Sequence, residues 1–298
     1  MSRRGWLLFA LMCVIWGIPY LLIRVAVRDL SPAVLVFART GGAALLLMPI
    51  ATARREVGPA LRRLAPVAAF ALVEIAIPWV LLSSAEERIT SSLSGLLIAA
   101  VPLVGALIAR LTGAGERLGP TSLAGLLLGL GGVAALVGLD LGGTSALALV
   151  EVAFVVLGYA LGPAILSRQL GDVPSLGVLG VSLVLTATVY APIAALSLPR
   201  RMPSTEVVAS VAVLALVCTA LAFLLFFALI GEIGPVRATV ITYVNPAVAV
   251  ALGVGLLGER LTTGMGVGFV LILAGSLLAT RPRSRTTRQW RLAPGGTS

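Results

Sequence analysis

Apolar residues run almost unbroken along this chain, in stretches of about twenty separated by short clusters of Arg, Gly, Pro and Asp. A run of that length matches a helix crossing the roughly 30 Å hydrocarbon layer of a membrane, whereas buried strands end after about eight residues. Ten spans can be drawn, at 5–25, 32–52, 65–83, 91–111, 121–139, 145–166, 175–197, 206–228, 236–256 and 264–280. Turn-forming residues fill the gaps, as at 29–32, 54–59, 119–120, 142–145, 171–174 and 199–203. None of these gaps is long enough for a soluble domain. The expected fold class is an all-α integral membrane protein with ten transmembrane helices.

The pattern also repeats. PLVGALIARLTGAGERL runs from Pro102 to Leu118, and PAVAVALGVGLLGERL from Pro246 to Leu261. A shift of 144 lays Pro102 on Pro246, Pro19 on Pro163 and Arg24 on Arg168. A shift of 143 lays Glu116-Arg117-Leu118 on Glu259-Arg260-Leu261, Gly125 on Gly268 and Gly132 on Gly275. The repeating unit is five spans, so the division expected is 5–139, 145–280 and a basic cytoplasmic tail at 281–298. Five crossings are an odd number, which inserts the second copy upside down. Inverted repeats related by an axis in the membrane plane are a transporter signature, with the solute site between the copies.

Composition narrows the class further. Only 11% of the 298 residues are charged, against about 25% in a soluble domain. The net charge of +10 does not indicate nucleic acid, because every basic residue is Arg and nearly all flank apolar spans. With the amino terminus inside, fifteen arginines fall on the cytoplasmic side: Arg3, Arg4, Arg54, Arg55, Arg62, Arg63, Arg110, Arg117, Arg168, Arg237 and five in the tail. Six fall opposite: Arg24, Arg28, Arg88, Arg200, Arg201 and Arg260. This bias places both termini in the cytoplasm of a multi-pass protein of the cell (plasma or inner) membrane. His is absent, and Cys13 and Cys218 lie singly in apolar runs, so no metal site and no cofactor is expected.

Few polar groups lie inside the spans. Glu74 sits mid-way along the third, where a carboxylate costs about 2.5–3.5 kcal/mol on insertion. It reads either as a proton or substrate-amine site or as half of a structural ion pair. Arg39, about 10 Å deep in the second span at 1.5 Å per residue, is its expected partner. Glu151 in the sixth span completes an expected cluster in the outer half. Pro19, Pro78, Pro102, Pro163 and Pro246 interrupt spans and free backbone carbonyls, which suits gates or hinges. Trp16, Tyr20, Trp79, Tyr159, Tyr243 and Asn245 lie near these prolines and form a candidate lining for a small amphiphilic solute. Gly125, Gly129, Gly132, Gly264 and Gly268 suit close helix approach, either as scaffold or as a dimer face. Glu116-Arg117 and Glu259-Arg260 read first as helix-end caps or salt bridges.

These residues carry a resemblance. Trp16-Gly17, Ala38-Arg39, the Pro102 run to Gly115-Glu116-Arg117-Leu118, and Ile233-Gly234-Pro235 through Asn245-Pro246 to Leu257-Gly258-Glu259-Arg260-Leu261 resemble EamA-type permeases of the drug/metabolite transporter superfamily. The resemblance spans roughly residues 5–280. It implies two tandem EamA repeats, ten helices, cytoplasmic termini and a central cavity lined mainly by spans 1, 3, 4, 6, 8 and 9. It also implies transport, often export, of amino acids, metabolites or toxic amphiphiles. Pro19 and the acidic loop Glu86-Glu87 depart from the general pattern.

The function expected is that of a secondary transporter, exporting a small metabolite, amino acid or amphiphilic solute by alternating access. No nucleotide-binding loop is present, so coupling falls to the proton gradient, or movement is uncoupled and facilitated. A lipid or lipid-linked flippase is the alternative. A membrane-embedded enzyme is disfavoured, because Asp140 and Asp172 are isolated and His is lacking, leaving no catalytic residues. The expected partners are a small-molecule substrate and the lipid bilayer, with no nucleic acid; the protein is a monomer or homodimer. Cysteine labelling at Ser2 and in the tail should find both ends cytoplasmic, and external labelling of either would break this topology.

Overall fold

The computed structural model describes residues 2–111, 120–138, 145–234, 238 and 240–279. The first Glu-Arg-Leu turn, Arg237 and the basic tail lie outside the described residues. The rest is helical. Seven segments are long and apolar enough to cross a membrane: α1 (Arg3–Ala26), α2 (Pro32–Ala53), α3 (Leu64–Ala85), α4 (Ser91–Ile108), α6 (Ala146–Gln169), α7 (Ser175–Leu196) and α8 (Thr205–Ile233). The other three expected spans hold α5 at Pro120–Gly138, with a shorter apolar stretch at Leu123–Leu136, α9 at Ile241–Leu257 and α10 at Thr263–Ala279. Hydroxyl side chains start several of them. Ser31, Thr90, Ser145 and Ser204 each accept from a backbone N–H in the first turn, satisfying a donor the helix itself cannot.

The helices pair across the two halves. The principal contacts are α1 with α8, α2 with α7, α3 with α6, α4 with α9 and α5 with α10. Exchanging each helix with the one five places along leaves this set of pairs unchanged, as a two-fold relation between the halves requires.

The α5–α10 pair is the closest, and its glycines explain why. A methyl group added at Gly132 would lie 2.7 Å from the Ile272 nitrogen, and one at Gly125 would lie 2.7 Å from the Gly275 carbonyl. At Gly125, Gly132, Gly268 and Gly275 the small-residue faces therefore meet between α5 and α10 within the chain, a scaffold contact.

The proline positions do not behave alike. Pro19 follows a true break at residues 16–18, and Pro102 follows one at residues 99–100. Their repeat partners Pro163 and Pro246 sit inside continuous helices. Pro78 follows a π-helical turn, Ala71–Ala76, which has a counterpart in the second half at Leu216–Leu221. Two equivalent π turns are a feature that hydrophobic periodicity does not reveal, and such turns concentrate at functional sites.

Enlarging the α5–α10 contact should be costly. Gly275→Val is expected to lower stability by about 1–3 kcal/mol through overpacking. Gly131→Ala, at a position with nothing within 4 Å, should be silent. Thermal unfolding of the detergent-solubilised protein distinguishes the two.

Candidate functional site

The break in α1 shows how local chemistry shapes the site. Gly17 N–H bonds to the Val14 carbonyl instead of the carbonyl of Cys13, so Cys13 O loses its helical donor. Asn245 of α9 replaces it: with its amide nitrogen turned inward, it donates to Cys13 O at 3.1 Å and Ile241 O at 2.9 Å. Gly17 permits this approach, since a methyl there would lie 3.1 Å from Asn245 O. Asn245 thus caps a broken helix. Trp16, at the same break, packs on Phe226 and Phe223 of α8, with ring centroids 4.7 and 5.5 Å away.

Arg39 is buried at the contact of α2, α3 and α8. Its guanidinium lies 3.7 Å from the centroid of the Trp79 ring, and its Nε donates to Thr219 Oγ at 3.0 Å. Thr219 lies in the second π turn and donates to Leu214 O at 2.8 Å. Tyr20, Tyr159 and Cys218 are its other electrostatic neighbours inside the bundle, and Glu86 is the carboxylate it senses. Among the described residues no carboxylate lies within 4 Å of it.

The expected pairing of Arg39 with Glu74 does not form, and helix length explains why. Counted from Pro32, Arg39 is the eighth residue of α2; counted back from Ala85, Trp79 is the seventh and Glu74 the twelfth of α3. The antiparallel helix therefore presents Trp79 at the level of Arg39 and sets Glu74 more than a turn deeper. Glu74 lies in the first π turn against Gly162 of α6, where an added methyl would collide with its carboxylate, and its Oε2 is buried without a hydrogen-bond partner. Gly158, one turn earlier in α6, packs under Val73 O and Pro78. Tyr190 of α7 donates to Ala76 O at 3.0 Å, supplying a partner where the π turn ends. The third expected member, Glu151, belongs elsewhere. It accepts from Arg88 at 2.5 Å and Ser84 at 2.8 Å, at the end of the bundle opposite the amino terminus. The single cluster expected from the sequence is thus three separate arrangements.

That opposite end holds two carboxylates with unforeseen tasks. Glu259, in the turn after α9, accepts four hydrogen bonds from the start of α4. These come from Ser91 N and Oγ at 2.8 and 2.9 Å and from Ser92 N and Oγ at 2.9 and 2.5 Å. The carboxylate therefore caps a helix from another part of the chain, where the dipole favours negative charge. Glu86, expected in an acidic loop, is 0% exposed, and both its carboxylate oxygens lack hydrogen-bond partners. Arg24 of α1 donates to its backbone carbonyl. Glu86 follows the last residue of α3, and burial pushes its carboxyl well above the usual carboxylate range, Arg24 opposing that rise and Glu259 adding to it. The sequence signal was an acid directly after an apolar span and five residues before a serine-rich helix start.

Two cavities bracket the bundle. One of about 390 Å³ lies at the opposite end, lined by Arg24, Arg28, Glu87, Thr90 and Glu259 among others. A second of about 220 Å³ lies between α4 and α6, lined by apolar residues such as Ile108, Leu161 and Ile165 and bounded by Arg168. Neither is lined by Arg39 or Glu74. Tyr243 is half-buried on α9.

The family model for the EamA-like transporter family matches residues 3–138 and 146–281. The uncharacterized inner membrane transporter YedA of Escherichia coli K12 is 30% identical over 277 residues, covering 92% of this chain and 89% of its own. YedA of the O157:H7 strain matches to the same extent. A solved structure, titled only as the crystal structure of a protein, shares 22% identity at a TM-score of 0.67, covering 94% of this chain and 98% of that one. At that identity the likeness speaks to fold alone.

Double-mutant cycles on stability check the geometry. Arg39→Ala with Trp79→Leu should show coupling of about 1–2 kcal/mol, as for a desolvated cation–π pair. Arg39→Ala with Glu74→Ala should show less than about 0.5 kcal/mol. A larger coupling in the second pair would reinstate the ion pair.

Proposed function

Because the chain belongs to the EamA-like transporter family and is a membrane transporter, we propose that it is a secondary transporter exporting a small anionic or zwitterionic solute from the cytoplasm. The carrying observation is the Arg39 guanidinium, buried beside the second π turn with an aromatic ring at 3.7 Å and, among the described residues, no carboxylate within 4 Å. A buried charge without a counter-ion is costly, and a solute carboxylate or phosphate would offset that cost while its apolar part rests on aromatic side chains. Tyr20 and Tyr159 are the further candidates for that lining.

The self-consistent pairing of the helices supports two inverted five-helix repeats, ten crossings and alternating access by rocking of one half on the other. The arginine bias supports cytoplasmic termini, and the YedA likeness supports the inner membrane. Pro19 and Pro102, where helices are already broken, are the stronger hinge candidates; Pro78, Pro163 and Pro246 are the weaker. Glu74 is a candidate for coupling, held against Gly162 with no cation within 4 Å among the described residues. The apolar cleft between α4 and α6 favours a second reading, lateral loading of an amphiphile or lipid from the bilayer.

Comparing metabolites released by cells overproducing the wild type, Arg39→Gln and Glu74→Gln tests the proposal. Membrane levels of each protein are matched. An anionic or zwitterionic compound should accumulate outside wild-type cells, and its release should fall at least tenfold with Arg39→Gln. Equal release by that variant overturns the assignment.

A further inference from the structure

Glu86 is the one fully buried carboxylate among the described residues, and the arrangement around it is built rather than incidental. Among the described residues no cation lies within 4 Å of its carboxylate, and Arg24 is turned onto its backbone carbonyl instead. A bare carboxylate without hydrogen bonds or a counter-charge is far costlier to bury than a neutral carboxylic acid. The groups that face it come from each surrounding element: Tyr20 and Arg24 of α1, Arg39 of α2, Ser94 of α4, Tyr159 of α6, and Glu259 after α9. Glu87 follows it, and Arg88 on the same turn is committed to Glu151.

Next to it lies the 390 Å³ cavity, whose wall includes Arg24 and Glu259. The element between cavity and bundle interior is the junction of α4 and α9, closed by the four hydrogen bonds from Ser91 and Ser92 to Glu259. Gly253 makes that closure tight, because a methyl there would meet both serine hydroxyls and the Glu259 carboxylate.

We propose that Glu86 is the proton-carrying group of this transporter, sealed from the side opposite the amino terminus by the Glu259 clasp on Ser91 and Ser92. With the clasp shut, Glu86 is a neutral acid. When the clasp opens, water from the cavity reaches the carboxyl and accepts its proton. The resulting carboxylate repels Glu259, which holds the clasp open, and Arg24 is in place to turn from the backbone carbonyl onto the new charge. Arg39 also feels that charge, so an anionic solute on Arg39 and a deprotonated Glu86 compete for the same cation. Solute binding on Arg39 and protonation of Glu86 are thereby linked. This deepens the transporter reading and rests on it.

Infrared difference spectroscopy of the full chain in lipid nanodiscs, titrated with pH and with no solute present, tests the proton site. In a Glu74→Gln background, which removes the other unpartnered carboxyl, a protonated-carboxyl band sensitive to deuterium should persist at neutral pH and vanish when Glu86→Gln is added. The glutamine mimics the neutral acid, so the fold should be retained. Ser91→Ala/Ser92→Ala keeps every charge but removes two clasp donors. It should raise the acidity of Glu86 at least tenfold, moving the titration midpoint down by a pH unit or more, and speed deuterium exchange. A neutral-pH band unchanged when Glu86→Gln is added, an unmoved midpoint in the double serine variant, or a band that follows sodium at fixed pH would each overturn the proposal. Because no transported solute enters the measurement, its failure leaves the Arg39 transport assay to stand or fall separately.

Discussion

Hydrocarbon offers no hydrogen bonds, so every departure from a straight α-helix in this chain must find its partner in the protein itself. The site is assembled from such departures. At the α1 break, Cys13 O receives the Asn245 amide. At the two π turns, Ala76 O receives Tyr190 and Leu214 O receives Thr219. Each of these bonds joins or sets up an inter-helix contact, so irregular backbone and tertiary packing are specified together. Thr219 shows the economy of this: one hydroxyl donates to the freed carbonyl of its own helix and accepts from Arg39 of another.

The two halves share this scaffold and differ in what they hang on it. Both carry a π turn at the corresponding place, yet the first bears Glu74 and the second Cys218 and Thr219. Arg39 has no basic counterpart, and it reaches across to the second-half turn rather than to the acid of its own half. Helix continuity also differs, with α1 and α4 broken before their prolines while α6 and α9 run through theirs. A perfectly two-fold pair of repeats would present identical faces to both sides of the membrane. These differences are what allow the two ends to behave unequally.

Much of this architecture was legible in the sequence. Apolar run length located the helices, and the internal shifts located the halves, because both signals are summed over many residues. The site was less legible, because it depends on one or two residues at a time. Ending α3 at Ala85 instead of residue 83, with a π turn inside it, suffices to bring Trp79 rather than Glu74 level with Arg39. The same small uncertainty at a helix end made Glu86 look like part of a solvated loop. Whether an acid just past a span is exposed depends on which other helix end covers it, and that is a long-range fact. Asn245 shows another kind of long-range dependence: a polar residue near a proline suggests a solute ligand, and the freed carbonyl it meets belongs to the neighbouring helix.

The clasp at Glu259 carries this reasoning one step further. Glu116 is its repeat counterpart, and the shift that superposes the two halves lays Ser91 and Ser92 on Pro235 and Val236. A clasp of the same design at the amino-terminal end would find no hydroxyls, and proline contributes no N–H. A carboxylate gains most when several donors converge on it at a helix start, so the repeated Glu-Arg-Leu motif does not imply equal closure at both ends. The motif is duplicated; its receptor is not. The serines that receive Glu259 have no counterpart in the sequence for Glu116, and the unpaired acid Glu86 lies on the Glu259 side.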